Sequence, residues 1–323
     1  MSRVPTVLAT TRFVVENARF VTIDRERVAA VADDVVSQST PPVTYDCTRH
    51  VCGTAPWVAN VVLVLDTLNF SFWPDAGQPR WRVAYGGETA DGYWALVAAL
   101  HRALDEGVPL IDAGYLATVS DVAVAHLLRG EGAIPLLAER AAALREVGQV
   151  LRDRHDGQFV NAIEQADRNA VRLARLLADE FTSFDDVAHY GSYPVHLYKR
   201  AQICCGDLYG ASRGAAWGDL SDLDQLTAFA DYKVPQVLRR LGILVYTAAL
   251  AATIERRALL PAGSEPEVEI RAATIWGVEF LRRALLERGV ARRAVEIDWH
   301  LWELGQALPS DTQPYHLTRT IFY

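Results

Sequence analysis

Apolar residues recur at every third or fourth position along most of this chain, with charged residues between them. The pattern is clearest over 133–154 and 160–180. This spacing places the apolar side chains on one face of an α-helix, and that face must be buried against another element. We therefore predict a mainly α, multi-helical fold.

Boundary signals place further helices along the chain. Ser120 is a candidate N-cap for a helix that stops before Gly130, because its hydroxyl can accept a hydrogen bond from the first turn. Ser264 and Glu267 have the spacing of a capping box in front of a helix that ends near Gly289. The other predicted helices are 94–104, 195–209 and 294–308.

One stretch has a different pattern. Residues 69–85 contain two aromatic-rich alternating runs around a cluster of turn residues, which predicts a small β-hairpin. No repeat, low-complexity segment or clear linker divides the 323 residues. A chain of this length forms either one large domain or two lobes that share an interface.

The charge of the chain limits its partners. The formal net charge is −8 and the sequence pI is about 5.5, whereas a surface for duplex DNA needs a basic face. A local basic pocket is still compatible with this balance. The start of the chain lacks the apolar core of a signal peptide, and no window is apolar for long enough to span a membrane. We therefore expect a cytoplasmic protein without a membrane partner.

The four cysteines are too few for a disulfide scaffold. Cys47, His50 and Cys52 lie close in sequence, but their spacing matches no standard zinc pattern. We expect reduced thiols, no metal and no cofactor.

Asp231 is the strongest candidate for chemistry. It lies in the run FADYKVPQ (229–236), between apolar residues and just before Pro235. Proline fits the first helical turn, so Asp231 is expected where a helix begins and backbone N–H groups favour negative charge. Apolar surroundings can make such a carboxylate reactive. The alternative interpretation is a plain helix-capping aspartate beside a surface lysine, Lys233.

Two further segments carry candidate residues. The run LNFSFW (68–73) combines aromatic rings with Asn69, so it could bind a planar ring or simply form core. In YKRAQ (198–202), two adjacent cations on a helix could bind phosphate or form a solvated basic stripe.

Two more segments favour structural roles. Glu267 and Arg271 have the spacing of an i,i+4 ion pair, and Glu269 and Arg271 lie on different faces, which could turn one of them inward. The chain ends in HLTRTIFY (316–323), an apolar and β-branched segment that is expected to dock rather than fray.

Several standard catalytic motifs do not occur in the sequence. There is no Gly-rich phosphate loop, no His-Glu-x-x-His and no Gly-x-Ser-x-Gly elbow. Nucleoside triphosphatases, zincins and α/β-hydrolases are therefore weak candidates.

Together the motifs resemble one family. The stretches VLDTLNFSFW (64–73), YKRAQ (198–202), FADYKVPQ (229–236) and EVEIRA (267–272) look like the signatures of the queuosine salvage proteins, in the family's order. These are queuosine 5′-monophosphate N-glycosidases, which release the queuine base used in tRNA modification. The resemblance implies a single two-lobed domain over 1–323, similar in architecture to helix-hairpin-helix DNA glycosylases. This chain has no evident Gly-rich hairpin for gripping DNA, which favours a free nucleotide as substrate.

The resemblance implies a reaction and a set of roles. Asp231 would stabilise the cationic sugar or act on the attacking water. A 7-deazapurine cannot be protonated at position 7, so help for the leaving base must come from other contacts, with Asn69 as first candidate. For this reaction the remaining candidate contacts are Asp66 for the amine arm, Phe70, Phe72 and Trp73 for stacking, and Lys199, Lys233 and Tyr232 for the 5′-phosphate. His101 is either a further pocket residue or a half-buried helix histidine.

Two other functions are compatible with the same residues. A nucleic-acid base glycosylase would use similar carboxylate chemistry but must hold a strand and flip a base. A protein that binds the modified base without turnover would release no free base.

Overall fold

The computed structural model describes residues 6–309 and 311–323. Within these ranges it contains fourteen α-helices: α1 Val7–Asn17, α2 Arg25–Ser37, α3 Pro56–Leu68, α4 Gly92–Asp105, α5 Ala113–Thr118, α6 Asp121–Leu127, α7 Leu137–Arg154, α8 Phe159–Gln165, α9 Ala170–Glu180, α10 Lys199–Ser212, α11 Lys233–Arg240, α12 Ala248–Glu255, α13 Glu265–Glu287 and α14 Ala294–Gln306. The mainly α prediction is therefore confirmed.

Six short strands form three antiparallel pairs. The strands are β1 Val21–Ile23, β2 Arg82–Tyr85, β3 Glu88–Asp91, β4 Val187–Tyr190, β5 Tyr193–His196 and β6 Leu244–Tyr246. β1 pairs with β6, β2 with β3, and β4 with β5.

The contacts divide the chain into two compact units. The first unit joins the segment that ends at Thr44 with Asp186–Lys199 and Asp224–Thr320. The second unit comprises Tyr45–Asp185, Arg200–Leu223 and Ile321–Tyr323.

Helix α13 is the centre of the first unit. Nearly all of its residues from Glu267 to Leu281 are buried, and it packs against α1, α2, α11 and α14. A helix that is buried on most of its surface needs partners for its charged side chains as well as for its apolar ones. The buried polar groups of α13 must therefore be paired with groups from the segments packed around this helix.

Helix α3 has the corresponding position in the second unit. Every residue from Val58 to Leu68 is buried, and α3 packs against α4, α7 and α8. The polar residues at its end, Asp66 and Asn69, are held inside the unit with it.

The predicted hairpin over 69–85 is wrong in its pairing. Arg82–Tyr85 is a strand, but its partner is Glu88–Asp91. Gly86 and Gly87 both have positive φ, at 61° and 86°, which is the backbone required by a tight two-residue turn. The first aromatic run forms no strand, and Ser71 within it has a φ of 44°.

The helix predicted over 160–180 is two helices, α8 and α9. Asp167 and Arg168 have positive φ, at 55° and 48°, which interrupts the helical path. Asn169 then caps α9 by accepting a hydrogen bond from the Arg172 amide. A capping residue in the middle of an apolar periodic segment competes with helix continuation.

The helix predicted over 195–209 begins later, at Lys199. Residues 193–196 form β5, and Tyr198 has a φ of 49°. His196 and Tyr198 therefore lie outside the helix. The helices predicted over 94–104 and 294–308 are confirmed as α4 and α14, with small shifts at their ends.

The two predicted caps have different outcomes. Ser120 accepts a hydrogen bond from the Ala123 amide at the start of α6, as expected. Ser264 precedes α13 but makes no side-chain cap. The Glu267 carboxylate instead accepts from the Gly263 amide and lies 3.7 Å from the Arg271 guanidinium, so the capping box does not form.

The cysteine prediction is wrong for one pair. Cys47 and Cys52 form a disulfide, while Cys204 and Cys205 remain buried thiols. Throughout the described ranges, no helix combines the length and the apolar character needed to cross a membrane.

Candidate functional site in the first unit

Asp231 lies two residues before the first residue of α11, at the helix start, as predicted. Its Oδ1 accepts hydrogen bonds from the Lys233 amide at 2.8 Å and the Val234 amide at 2.9 Å. The described residues provide no hydrogen-bond partner for Oδ2. The side chain is 8 % exposed. One oxygen is therefore anchored by the helix start, and the other is available to a substrate or a water molecule.

Lys199 and Asp298 complete a buried charged cluster around this carboxylate. Lys199 is 5 % exposed and Asp298 is 3 % exposed. Burial raises the pKa of Asp231, although the positive charge of Lys199 and the two backbone hydrogen bonds act in the opposite direction. Burial, and next the charge of Asp231, raise the pKa of Asp298 well above its usual range. Two carboxyl groups with one nearby lysine favour one ionised and one protonated acid.

Asp298 was missed in the sequence analysis. It accepts a hydrogen bond from the Phe229 amide at 2.8 Å and so holds the segment that leads to Asp231. An acid between Ile297 and Trp299 on an otherwise apolar helix face was a detectable signal.

Tyr232 and Lys233 flank the carboxylate. The rings of Tyr232 and Tyr315 are 4.8 Å apart. The Lys233 ammonium group donates to the Gly305 carbonyl at 3.1 Å and lies 5.5 Å from the Tyr315 ring. Both side chains are partly exposed. The alternative of a helix-capping aspartate beside a surface lysine is therefore compatible with this geometry, although the Lys233 ammonium group has an internal partner in Gly305.

Arg271 and Glu269 are both buried, so charged side chains are buried on both of the α13 faces that carry them. The Arg271 guanidinium binds both carboxylate oxygens of Asp186, at 2.9 and 2.5 Å. Glu269 accepts from the amides of 19–21 and from the Tyr190 hydroxyl. The i,i+4 contact of Arg271 with Glu267 is also present.

The C-terminal segment docks, as expected. Residues 315–318 are buried, and the Leu260 amide donates to the Leu317 carbonyl. Burial, and next the positive charge of Arg271, lower the pKa of His316 to about 3. This imidazole is therefore neutral near pH 7. Arg319 is only partly buried.

Other predicted site residues belong to the second unit. Asp66 is fully buried at the end of α3, and the Asn69 amide nitrogen lies 3.5 Å from its Oδ1. Arg200 donates to the backbone carbonyls of Asp66 and Thr67, and also to that of Ser183. The solvated basic stripe considered for 198–202 is therefore wrong, because Lys199 and Arg200 are both buried.

The aromatic run has an internal role in the second unit. Phe70 is buried, and the guanidinium groups of Arg140 and Arg200 lie 4.2 and 5.0 Å from its ring centroid. Phe72 is half-buried and nearly parallel to Trp81, at 6.5 Å. Trp73 is buried. Partial exposure makes Phe72 the best placed of the three for contact with a ligand.

His101 is half-buried on α4. Its Nε2 lies 2.9 Å from the Arg49 carbonyl oxygen, and its ring stacks on Tyr85. A neighbouring histidine, His50, stacks on Tyr45 and lies 2.8 Å from the Tyr93 hydroxyl. Burial lowers the pKa of His50 to about 4. The sequence analysis considered His50 only as a possible metal ligand.

No group of three or more His, Cys, Asp or Glu side chains is placed to hold a metal ion in the part of the chain that the structure describes. The chemistry available in the first unit is that of an anchored buried carboxylate, a second carboxyl group with a raised pKa and a buried ammonium group. A mainly helical protein with this set of groups is suited to stabilising positive charge on a substrate.

Comparison with known proteins gives the family. Residues 50–323 match the family described as "Queuosine salvage protein". The chain belongs to this family. It is 54% identical to the "Queuosine 5'-phosphate N-glycosylase/hydrolase" of Sphaerobacter thermophilus, over 98% of this chain and 97% of that protein. Proteins of the same name from Bos taurus and Schizosaccharomyces pombe are 36% and 33% identical, over 97% and 80% of this chain and 97% and 76% of theirs.

Proposed function

We propose that this protein hydrolyses the N-glycosidic bond of queuosine 5′-monophosphate and releases queuine and ribose 5-phosphate. The names of its relatives support the reaction and the substrate. The observation that carries the chemistry is the geometry of Asp231, a buried carboxylate with one oxygen anchored by two backbone amides and the other without a partner among the described residues.

Cleavage of an N-glycosidic bond passes through a sugar with oxocarbenium character. An ionised Asp231 in a water-poor site stabilises the positive charge that develops at the anomeric carbon. The anchoring bonds fix the carboxylate in advance, so little reorganisation is needed when the charge appears. Oδ2 can in addition orient the attacking water or accept its proton.

The leaving base needs help of another kind, since carbon replaces nitrogen at position 7 of the deazapurine. Asn69 remains the first candidate for a hydrogen bond to the base. Asp66 remains the candidate for the amine arm, and Phe72 the best candidate for stacking, with Phe70 and Trp73 more buried. These roles, like that of His101, are predictions for substitution experiments.

The 5′-phosphate is assigned to Lys199 and Lys233, with Tyr232 in support. For Lys199 a second role competes, because its charge acts on Asp231 and Asp298. The positive charge of Lys199 favours the ionised form of Asp231, whether or not Lys199 contacts the phosphate.

Three finer expectations stay predictions. They are a helical arrangement like that of helix-hairpin-helix DNA glycosylases, a single two-lobed domain over 1–323, and a cytoplasmic location without stable nucleic-acid binding. Superposition on such a glycosylase, cooperative unfolding of the whole chain, cell fractionation and a mobility-shift assay test them in turn.

The test of the function is a substrate panel. The protein is incubated with queuosine, its 5′-monophosphate, its 3′-monophosphate and an RNA strand that contains queuosine, and free queuine is measured by mass spectrometry. We expect release from the 5′-monophosphate to be fastest. Release only from a nucleic-acid strand would favour a base glycosylase, and binding without release would favour a base-binding protein.

A further inference from the structure

The backbone around Lys199 makes a sharp bend that is held by one residue. Tyr198, between β5 and α10, has a φ of 49°, a conformation that costs a non-glycine residue free energy. The Asp186 carbonyl accepts hydrogen bonds from the Leu197 and Tyr198 amides, at 3.0 and 3.1 Å. The Asp186 carboxylate accepts from the Lys199 amide at 3.0 Å. Asp186 therefore determines where α10 begins and fixes the backbone position from which the Lys199 side chain extends.

The same carboxylate is bound by Arg271, which also reaches the segment of Asp231. The guanidinium group makes two hydrogen bonds to Asp186, and its Nε donates to the Ala230 carbonyl at 3.1 Å. Ala230 directly precedes Asp231. A planar guanidinium with fixed donor directions holds both partners at a defined separation, which a lysine cannot do.

We infer that Arg271 is a positioning residue that sets the separation of Lys199 and Asp231 by gripping Asp186 and the Ala230 carbonyl together. Its hydrogen bonds to Asp186 and to the Ala230 carbonyl reach the backbone segments that carry these two groups. The kinetic consequence rests on the proposed function, whereas the geometric claim concerns only these residues of the first unit.

The charges around Asp231 determine how its pKa would change if Arg271 no longer held Asp186 and the Ala230 carbonyl. They are Lys199 at the start of α10, Lys233 in α11 and Asp298 in α14. The buried His316 beside Arg271 is neutral near pH 7 and adds no charge. Because the positive charge of Lys199 lowers the pKa of Asp231, greater separation of the two raises that pKa.

The test compares Arg271→Lys with Arg288→Lys. Arg288 is a matched control, since its guanidinium also binds one carboxylate, Asp33, and backbone carbonyls, those of Ala29 and Ala284. The Asp231 carboxyl carbon is titrated by ¹³C NMR in aspartate-labelled protein and assigned with Asp231→Asn. We expect the Asp231 midpoint to move to higher pH in Arg271→Lys and to stay in place in Arg288→Lys.

Turnover supplies the second readout. With queuosine 5′-monophosphate, kcat of Arg271→Lys should fall about 10- to 100-fold, which is the scale of a small misplacement of reacting groups. The acid limb of the pH profile of kcat should move in the same direction as the NMR midpoint. An unchanged Asp231 midpoint in folded Arg271→Lys overturns the inference. Failure of the wild-type protein to release queuine would overturn the proposed function instead, and the NMR comparison would still decide the positioning role.

A charge-balanced double variant covers the case in which Arg271→Lys does not fold. Asp186→Asn with Arg271→Gln removes both charges of the buried Asp186–Arg271 pair together. Glu267 loses its ion pair with residue 271 but keeps the hydrogen bond from the Gly263 amide. The double variant loosens the same grip and should also shift the Asp231 midpoint upward. A midpoint equal to that of the wild type would overturn the inference here too.

Discussion

At the scale of single residues, Asp231 combines two opposing influences. Burial raises the pKa of its carboxyl group, while Lys199 and two backbone amides favour the ionised form. The proposed mechanism needs the carboxylate. Activity should therefore be lost as the pH falls through this pKa, at a higher pH than for an exposed aspartate.

Lys199→Ala tests the charge and the phosphate contact in one variant. Removing the positive charge raises the pKa of Asp231, so the acid limb of kcat/KM should move to higher pH. If Lys199 also binds the 5′-phosphate, kcat/KM should fall about tenfold more for queuosine 5′-monophosphate than for queuosine.

The unphosphorylated nucleoside is the internal control for this experiment. Equal losses on both substrates, together with a shifted acid limb, would assign Lys199 to the carboxylates alone. An acid limb in the wild-type position would contradict its action on Asp231.

At the scale of elements, close helix packing depends on particular glycines. In α7 of the second unit, a Cβ at Gly148 would lie 2.2 Å from the Ala117 amide nitrogen and 2.7 Å from the Ala113 carbonyl oxygen. These are backbone atoms of α5 and cannot yield as a flexible side chain does. Gly148→Ala should lower the free energy of unfolding by about 3 kcal/mol, as measured by denaturant titration.

Gly277→Ala in α13 is the matched control for this packing. A Cβ there meets only side-chain atoms, those of Ile243, Leu238 and Leu244, at 3.4, 3.5 and 3.8 Å. Since alanine favours helix more than glycine does, this variant should be as stable as the wild type or more stable by about 0.5 to 1 kcal/mol. Equal losses in the two variants would contradict a specific α5–α7 contact.

Local signals in the sequence were sufficient for much of the fold. The serine at 120 and the acid before Pro235 both act at helix starts, because caps involve residues only two or three positions apart. The two glycines at 86–87 were an equally local signal for a turn. The hairpin was nevertheless predicted over 69–85, because the aromatic runs in that stretch alternate as strands do. Tyr198 could not be anticipated, since nothing about a tyrosine predicts a positive φ.

The charged cluster could be predicted only in part. Asp231 was identified from its neighbours, and Lys199 from its place beside Arg200 in the run YKRAQ. Their proximity to each other and to Asp298 depends on contacts between segments 32 and more residues apart. Arg271 was assigned to a helical ion pair with Glu267, whereas its closer contacts are with Asp186 and the Ala230 carbonyl. Such contacts are determined by tertiary packing rather than by local spacing.

At the scale of the whole molecule, a negative net charge accompanies buried positive groups. The chain carries a formal net charge of −8, while Lys199, Arg200 and Arg271 are buried. Arg200 and Arg271 are bound to internal partners. Many other arginines are exposed, for example Arg12 and Arg172, but the acidic residues outnumber the basic ones. A chain with this charge balance is poorly suited to hold a nucleic-acid strand, which favours a small substrate.

The most direct measurement of the central claim is queuine release from queuosine 5′-monophosphate by Asp231→Asn. Asn can keep the Oδ1 bonds to the helix start, so the fold should persist while turnover falls by about a hundredfold or more. Asp24→Asn is the control, because Asp24 accepts the same two amide bonds, from Glu26 and Arg27, before α2. Its turnover should equal that of the wild type. Near-normal release by folded Asp231→Asn would contradict the account.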